Sequence, residues 1–174
     1  FAGVGVAVPD KINQYRIKLL KEMGCNGYRT AHNPAAPELL DICDRMGMLF
    51  LNENRMLSST EDGLKDLETL ILRDRNHPSV VLWETALNES RYPVSLAKEI
   101  FELSHAEYPG DQMYTAGDYF GHAEMEPYYD VFYKQVSKFP KDGDVMSNYP
   151  EDFIVVKPLF TREWGDGVGE KPRV

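Results

Sequence analysis

Short apolar runs alternate with amphipathic helical stretches along this chain of 174 residues, and that alternation predicts an α/β fold built on a parallel sheet. Two further observations narrow the architecture. The apolar runs are continuous rather than alternating, as expected of strands buried on both faces. Their polar tips fall near residues 31, 53, 89, 117, 133 and 163, about 26 residues apart, against roughly 31 per unit in an eight-unit barrel of about 250 residues. An open doubly wound sheet fits this spacing too, but it favours a Gly-rich phosphate loop after an early strand. The glycines of GVGVAVPD do not match that loop. Six strands cannot close an eight-stranded barrel. The expected fold is therefore an incomplete (β/α)8 barrel of about six of the eight units, with unpaired strand edges.

Each element has a local signal. Asp10 follows Pro9 and is placed to cap a helix on which Ile12, Tyr15, Leu19, Leu20 and Met23 keep helical spacing until Gly24. Cys25 to Ala31 reads as a strand closed by His32-Asn33-Pro34. Leu39, Leu40, Cys43 and Met46 mark a second helix stopped by Gly47, and Met48 to Asn52 a second strand. Leu64, Leu67 and Ile71 line a third helix, and Val80 to Trp83 forms a third strand. Ala97, Ile100, Phe101 and Ser104 mark a fourth helix, with Met113 to Ala116 as the strand after it. Beyond this point the pattern blurs into Tyr- and Asp-rich loops, with strands expected at Tyr129 to Tyr133 and Pro158 to Thr161.

Composition bounds the function. The chain is 43% hydrophobic and 27% charged, an ordinary balance for a domain with one core. Its net charge of −9 argues against a nucleic-acid-binding face and against an anionic membrane surface, and leaves a neutral sugar open. No apolar run reaches the roughly 18 residues of a membrane span. Cys25 and Cys43 lie in apolar periodic segments and read as core thiols, so they do not identify a compartment. The chain starts at Phe1 and stops at EKPRV. It reads as a piece of a longer protein, with any targeting signal outside it.

In a parallel barrel, reacting groups lie at the carboxyl ends of the strands. Those ends carry Arg29, His32 and Asn33; Asn52, Glu53, Asn54 and Arg55; Asn88 and Glu89; Asp118 and Tyr119; Tyr133; and Arg162, Glu163 and Trp164. Glu89 and Glu163 each follow an apolar run. Two such carboxylates are the minimal equipment for cleaving a glycosidic bond with a general acid and a nucleophile. At the observed spacing the two are three units apart and face each other across a pocket. Among the remaining groups, Glu53 can bind a hydroxyl or pair with Arg55, and a structural pairing is the preferred reading. His77, before the third strand, is expected to pack and hydrogen-bond, and His105, on the fourth helix, to be exposed.

Three segments resemble a known family in order. GCNGYRTAHNPAAPELLDICDRMGMLFLNEN is similar to the stretch through barrel strands two and three of glycoside hydrolase family 2, which includes β-galactosidases, β-glucuronidases and β-mannosidases. RDRNHPSVVLWETALNES resembles that family's strand-four acid/base signature, and KPLFTREWGDG its strand-seven nucleophile segment. The resemblance implies that the chain spans barrel strands two to seven of a catalytic domain over residues 1–174, with the flanking β-sandwich domains of the parent chain lying outside it. It implies a retaining exo-β-glycosidase, foremost a β-galactosidase, acting on an oligo- or polysaccharide with a terminal β-linked sugar. Glu89 would be the general acid/base and Glu163 the nucleophile. Asn88 would bond the sugar 2-hydroxyl, His32 and Asn33 would face the sugar, and Arg29 would orient Glu163. Trp164 would stack on a sugar face or fill the barrel rim. Tyr133 is preferred to Tyr149 as the pocket tyrosine, because only Tyr133 leaves room for a crossover before the next strand.

Two departures stand out. Well-known β-galactosidases of the family carry Gly before the strand-four Asn-Glu and one residue fewer after the Trp. Here Glu84, Thr85, Ala86 and Leu87 follow Trp83, an extra residue that a bulge can accommodate and that implies a different loop geometry. The magnesium-binding Glu-x-His of those enzymes corresponds to Asn54-Arg55-Met56-Leu57, so no metal and no cofactor are expected. A β-glucuronidase, which would need basic groups for its substrate's carboxylate, and a carbohydrate-binding scaffold without catalysis are the competing readings.

Overall fold

The computed structural model describes residues 7–55, 58–85, 92–116, 123–135 and 157–162. Six strands form one wholly parallel sheet in sequential order: β1 (Gly27–Arg29), β2 (Leu49–Glu53), β3 (Val80–Glu84), β4 (Tyr114–Ala116), β5 (Val131–Gln135) and β6 (Leu159–Arg162). Helices α1 (Asp10–Glu22), α2 (Pro37–Met46), α3 (Glu61–Asp74) and α4 (Val94–Glu107) precede the first four strands. The fold is an incomplete (β/α)8 barrel, as the spacing predicts, with all six expected strands in place. In the described residues β4 and β5 are linked by a 3-10 helix, Ala123–Tyr128, which accounts for the loss of helical periodicity after residue 116. Phe160 of β6 lines an open pocket of about 500 Å³ together with Gly27 and Arg29 of β1 and Leu51 of β2. The sheet is therefore curled, with its two edge strands approaching around an unfilled centre.

Capping is local and mostly legible. Pro37 opens α2, and Gly47 closes it in the left-handed conformation at φ 66°, which a side chain would strain. Thr60 caps α3 by accepting a hydrogen bond from the Gly63 amide at 3.2 Å. Gly63 is required there, because a Cβ would meet the Ser58 Cβ at 2.6 Å. Asp10 does not cap α1: Pro9 occupies the cap position and Asp10 is the first helical residue, where its charge favours the positive end of the helix.

Helix faces depart from the expectation in one place. On α1 the core-facing residues are Asn13 and Ile17, whereas Tyr15, Leu19 and Met23 are exposed. Helical spacing alone does not say which of two apolar stripes meets the sheet. The main core lies between the sheet and the helices and contains Ile17, Leu40, Cys43, Phe50, Leu67, Ile71, Trp83 and Ile100. Burial pushes the Cys43 thiol up to about 11, assisted by Asp44, and the described cysteines are both free; Cys25 is half-buried rather than core. A second, smaller cluster of Leu51, Leu82 and Val131 lies on the opposite face, inside the barrel.

His77 bridges α2 and β3 as expected. Its Nδ1 lies 2.6 Å from Asp44 Oδ2, and Asp44 Oδ1 accepts the Ser79 amide at 2.9 Å. His105, in contrast, is half-buried rather than exposed. It bonds Asp130 at 3.0 Å and packs edge-on against Phe101 and Tyr114.

Two outcomes follow. Leu40→Ala, at a fully buried position, is expected to lower stability by about 2–5 kcal/mol in urea unfolding. For Asp44, burial pushes the carboxyl up, but the hydrogen bonds from Ser79 and His77 outweigh it and hold the group below the ordinary aspartate range. A folded-state value below the unfolded one stabilises the fold above the unfolded value of about 3.9. That contribution is lost as pH falls through the depressed folded value. Asp44→Asn should thus lower stability near neutral pH and flatten the acid limb below about pH 4, measured by unfolding across a pH series.

Candidate active site

The pleat brings three ionisable side chains, Arg29, Glu53 and Glu84, to one point. Along β2, Leu51 faces the barrel interior, so Glu53 does too, while Phe50 and Asn52 face the helices. Along β3, Leu82 faces inward and Trp83 packs outward against Tyr108 and Tyr114, which leaves Glu84 inward. The two glutamates lie side by side in register. That register depends on an irregularity: Phe50 pairs with Val80, but Leu51 pairs with Leu82. Without that shift, in a regular pairing continued from Phe50 and Val80, Glu53 would stand opposite Trp83, and Glu84 would point at the helices. A bulge that re-aims a side chain beside a site is a recurrent device. It sits in β3 ahead of Trp83; of the stretch after Trp83 where a bulge can take up the extra residue, Ala86 and Leu87 lie outside the described residues.

Arg29, at the end of β1, joins the two carboxylates. Its Nη2 lies 2.6 Å from Glu53 Oε2 and 3.2 Å from Glu84 Oε2. Both glutamate side chains are 0% exposed, and that of Arg29 is 14%. His32 completes the group, with Nδ1 at 2.7 Å from Glu53 Oε1 and 3.2 Å from Arg29 Nη2. Its side chain is 34% exposed, so the cluster runs from a buried acidic floor to a solvent-facing imidazole. Glu53 therefore pairs with Arg29 and His32 rather than with Arg55, which is exposed.

A second polar set fixes the loop that carries His32. Asn52 donates to Asp74 Oδ2 at 2.6 Å and accepts the Ala35 amide at 3.5 Å. Arg73 grips both oxygens of Asp74 and donates to the Ala35 carbonyl at 2.8 Å. Thr30 Oγ1 donates to the Asn33 carbonyl at 2.8 Å, and Asn33 itself is exposed. The Ala31–His32 peptide is cis.

Of the residues singled out in the sequence, Arg29 and His32 come together, and Asn33 borders them on the same loop. Glu84 was missed as a site residue. The signal available was a charged residue at the end of a strand whose other residues are apolar. Tyr133 pairs with Phe160, and β5 continues to Gln135, so its backbone lies two residues below the strand end. Asn88, Glu89, Tyr149, Glu163 and Trp164 lie outside the described residues. The described strands nonetheless end close to them in sequence: β3 at Glu84 and β6 at Arg162, the residue before Glu163. The open pocket lined by Arg29 is otherwise mainly apolar, with Tyr28, Leu49, Leu51, Leu82 and Phe160 around it. It belongs to the barrel core.

Residues 3–66 match the family model for glycosyl hydrolases family 2, TIM barrel domain. The chain is 46% identical to beta-galactosidase BoGH2A of Bacteroides ovatus over 46% of this chain and 11% of the relative. It is 33% identical to a beta-glucuronidase of Sus scrofa over 42% of this chain and 13% of the relative. Among solved structures, a beta-glycosidase from Bacteroides vulgatus superposes with a TM-score of 0.62 at 35% identity, covering 75% of this chain and 18% of that one. The chain thus spans a small part of the length of the relatives it matches.

The ion cluster has a stability consequence. Arg29→Met would leave two carboxylates buried without their shared cation, and removing one partner of a buried ion pair typically costs about 3–5 kcal/mol. A loss of that size in urea unfolding at neutral pH is the expected outcome.

Proposed function

Starting from a chain that carries TIM-barrel sequence of the family 2 glycosyl hydrolases, we propose that it supplies the catalytic centre of a retaining exo-β-glycosidase, most specifically a β-galactosidase. The observation that carries this reading is the cluster of Arg29, His32, Glu53 and Glu84 at the carboxyl ends of adjacent barrel strands, the end at which barrel enzymes place their chemistry. The ends of β3 and β6 lead directly into the segments that hold Glu89 and Glu163.

In this reading Glu163 attacks the anomeric carbon as a carboxylate while Glu89 protonates the departing glycosidic oxygen. Glu89 then removes a proton from water, the water oxygen attacks the anomeric carbon, and the bond to Glu163 breaks. Two inversions give net retention. Asn88 bonds the 2-hydroxyl, His32 and Asn33 line the sugar, and Tyr133 and Trp164 border the pocket. Arg29, with part of its charge already directed to two carboxylates, orients Glu163 and keeps it ionised. An anionic floor at the strand ends supports a neutral sugar, because a uronate would add a further negative charge beside it. The β-glucuronidase reading rests on relatives of that name. The substrate is an oligo- or polysaccharide with a terminal β-linked sugar, and the parent chain supplies the remaining domains, including the β-sandwich domains.

The test is turnover by the full-length protein of aryl β-galactoside, β-glucuronide and β-mannoside, with the first anomer released followed by NMR. Hydrolysis of the galactoside with retention is expected. Turnover of the glucuronide alone would shift the assignment to that class, and no turnover of any substrate by folded protein would remove the enzyme reading. Glu89→Gln should lower kcat by about 10²–10⁴-fold, with a smaller loss on substrates whose leaving group needs no protonation. If Glu163→Gln leaves the protein's function unchanged, the chain is a carbohydrate-binding scaffold instead.

A further inference from the structure

We propose that Glu84 is a positioning residue, which holds Arg29 on one oxygen of Glu53 so that the other oxygen is kept for His32. This rests on reading the strand ends as a glycosidase site. A guanidinium beside a lone carboxylate favours a two-pronged pairing that takes both oxygens. Here the closest approach of Arg29 to Glu53 is through Nη2 to Oε2, and the same nitrogen reaches Glu84 Oε2 at 3.2 Å. Oε1 of Glu53 instead holds His32 Nδ1 at 2.7 Å. A second carboxylate beside the first divides the guanidinium between them.

The backbone makes the division possible. The register shift between β2 and β3 sets Glu84 level with Glu53 on the interior face, and both are sealed from solvent, so neither relaxes into water. His32 Nδ1 also lies 3.2 Å from Arg29 Nη2, so the ring sits between the guanidinium and Glu53 Oε1, and its place follows from how Arg29 is shared. Glu84 thereby acts on substrate through Arg29, Glu53 and His32 without touching it.

The test is kinetics and crystal structures of the full-length protein carrying Glu84→Gln and Glu84→Asp. In Glu84→Gln, which keeps volume but removes the charge, Arg29 is expected to close on both oxygens of Glu53 and His32 to leave Oε1. With the ring displaced by about an ångström, kcat should fall on the order of 100-fold while KM changes far less. Glu84→Asp, which restores the charge, should recover part of the loss. Arg29 and His32 unmoved in the Gln variant, or unchanged kcat with only a lower melting temperature, would overturn the proposal. If Glu84→Gln does not fold, Glu84→Asp is read against the unsubstituted protein: a smaller fall in kcat with His32 shifted from Glu53 Oε1 supports the proposal, and Arg29 and His32 unmoved with kcat unchanged overturns it. If the unsubstituted protein turns over no β-glycoside, the glycosidase reading fails, and the position of His32 in the variant still decides the role of Glu84.

Discussion

Two glutamates buried side by side at the ends of neighbouring strands would repel each other in a medium that screens poorly, and a single guanidinium between them makes the arrangement tenable. Arg29, Glu53 and Glu84 set the condition that the top of this barrel must satisfy. β1 has to end where its arginine reaches inward. β2 and β3 have to present their last residues in register on the same face. The irregular pairing at Phe50 and Leu51 meets that last requirement at the cost of one unpaired position low in the sheet, where apolar side chains line the interior.

The surrounding polar network keeps this geometry from drifting. Asn52 points away from the barrel and pins both Asp74 of α3 and the Ala35 amide, while Arg73 ties Asp74 to the Ala35 carbonyl. Successive residues of β2 thus serve different layers. Leu51 fills the barrel, Asn52 anchors the His32 loop through the helix layer, and Glu53 receives His32 itself. A loop fixed from behind and a ring held from the front leave little freedom to the side chain nearest solvent. Such preorganisation is what a site needs if it is to favour a transition state over a ground state.

How far the site was legible in the sequence can be judged residue by residue. Arg29 and His32 stood out because polar residues at the end of an apolar run are conspicuous. Glu53 is visible at its strand end and its structural pairing is expected, but its partner is not legible, since Arg55 is near in sequence whereas Arg29 is near only after β1 and β2 pair. Glu84 passed unnoticed because its direction depends on a bulge, and a bulge reverses the face of every later residue. On α1 the same difficulty took helical form. Tyr15, Leu19 and Met23 make a regular apolar stripe, yet the sheet receives Asn13 and Ile17.

The sequence by itself determined the alternation of strands and helices, the number and order of the strands, the stops at Gly24 and Gly47, and the placing of polar residues at strand ends. These follow from periodicity and backbone preference, which act over a few residues. Only the tertiary structure decided which carboxylates share Arg29, which face of α1 is covered, and that His105 is drawn into contact with Asp130. Each of those depends on register between segments far apart in the chain, and register is fixed by the packing of the whole sheet rather than by any one stretch of it.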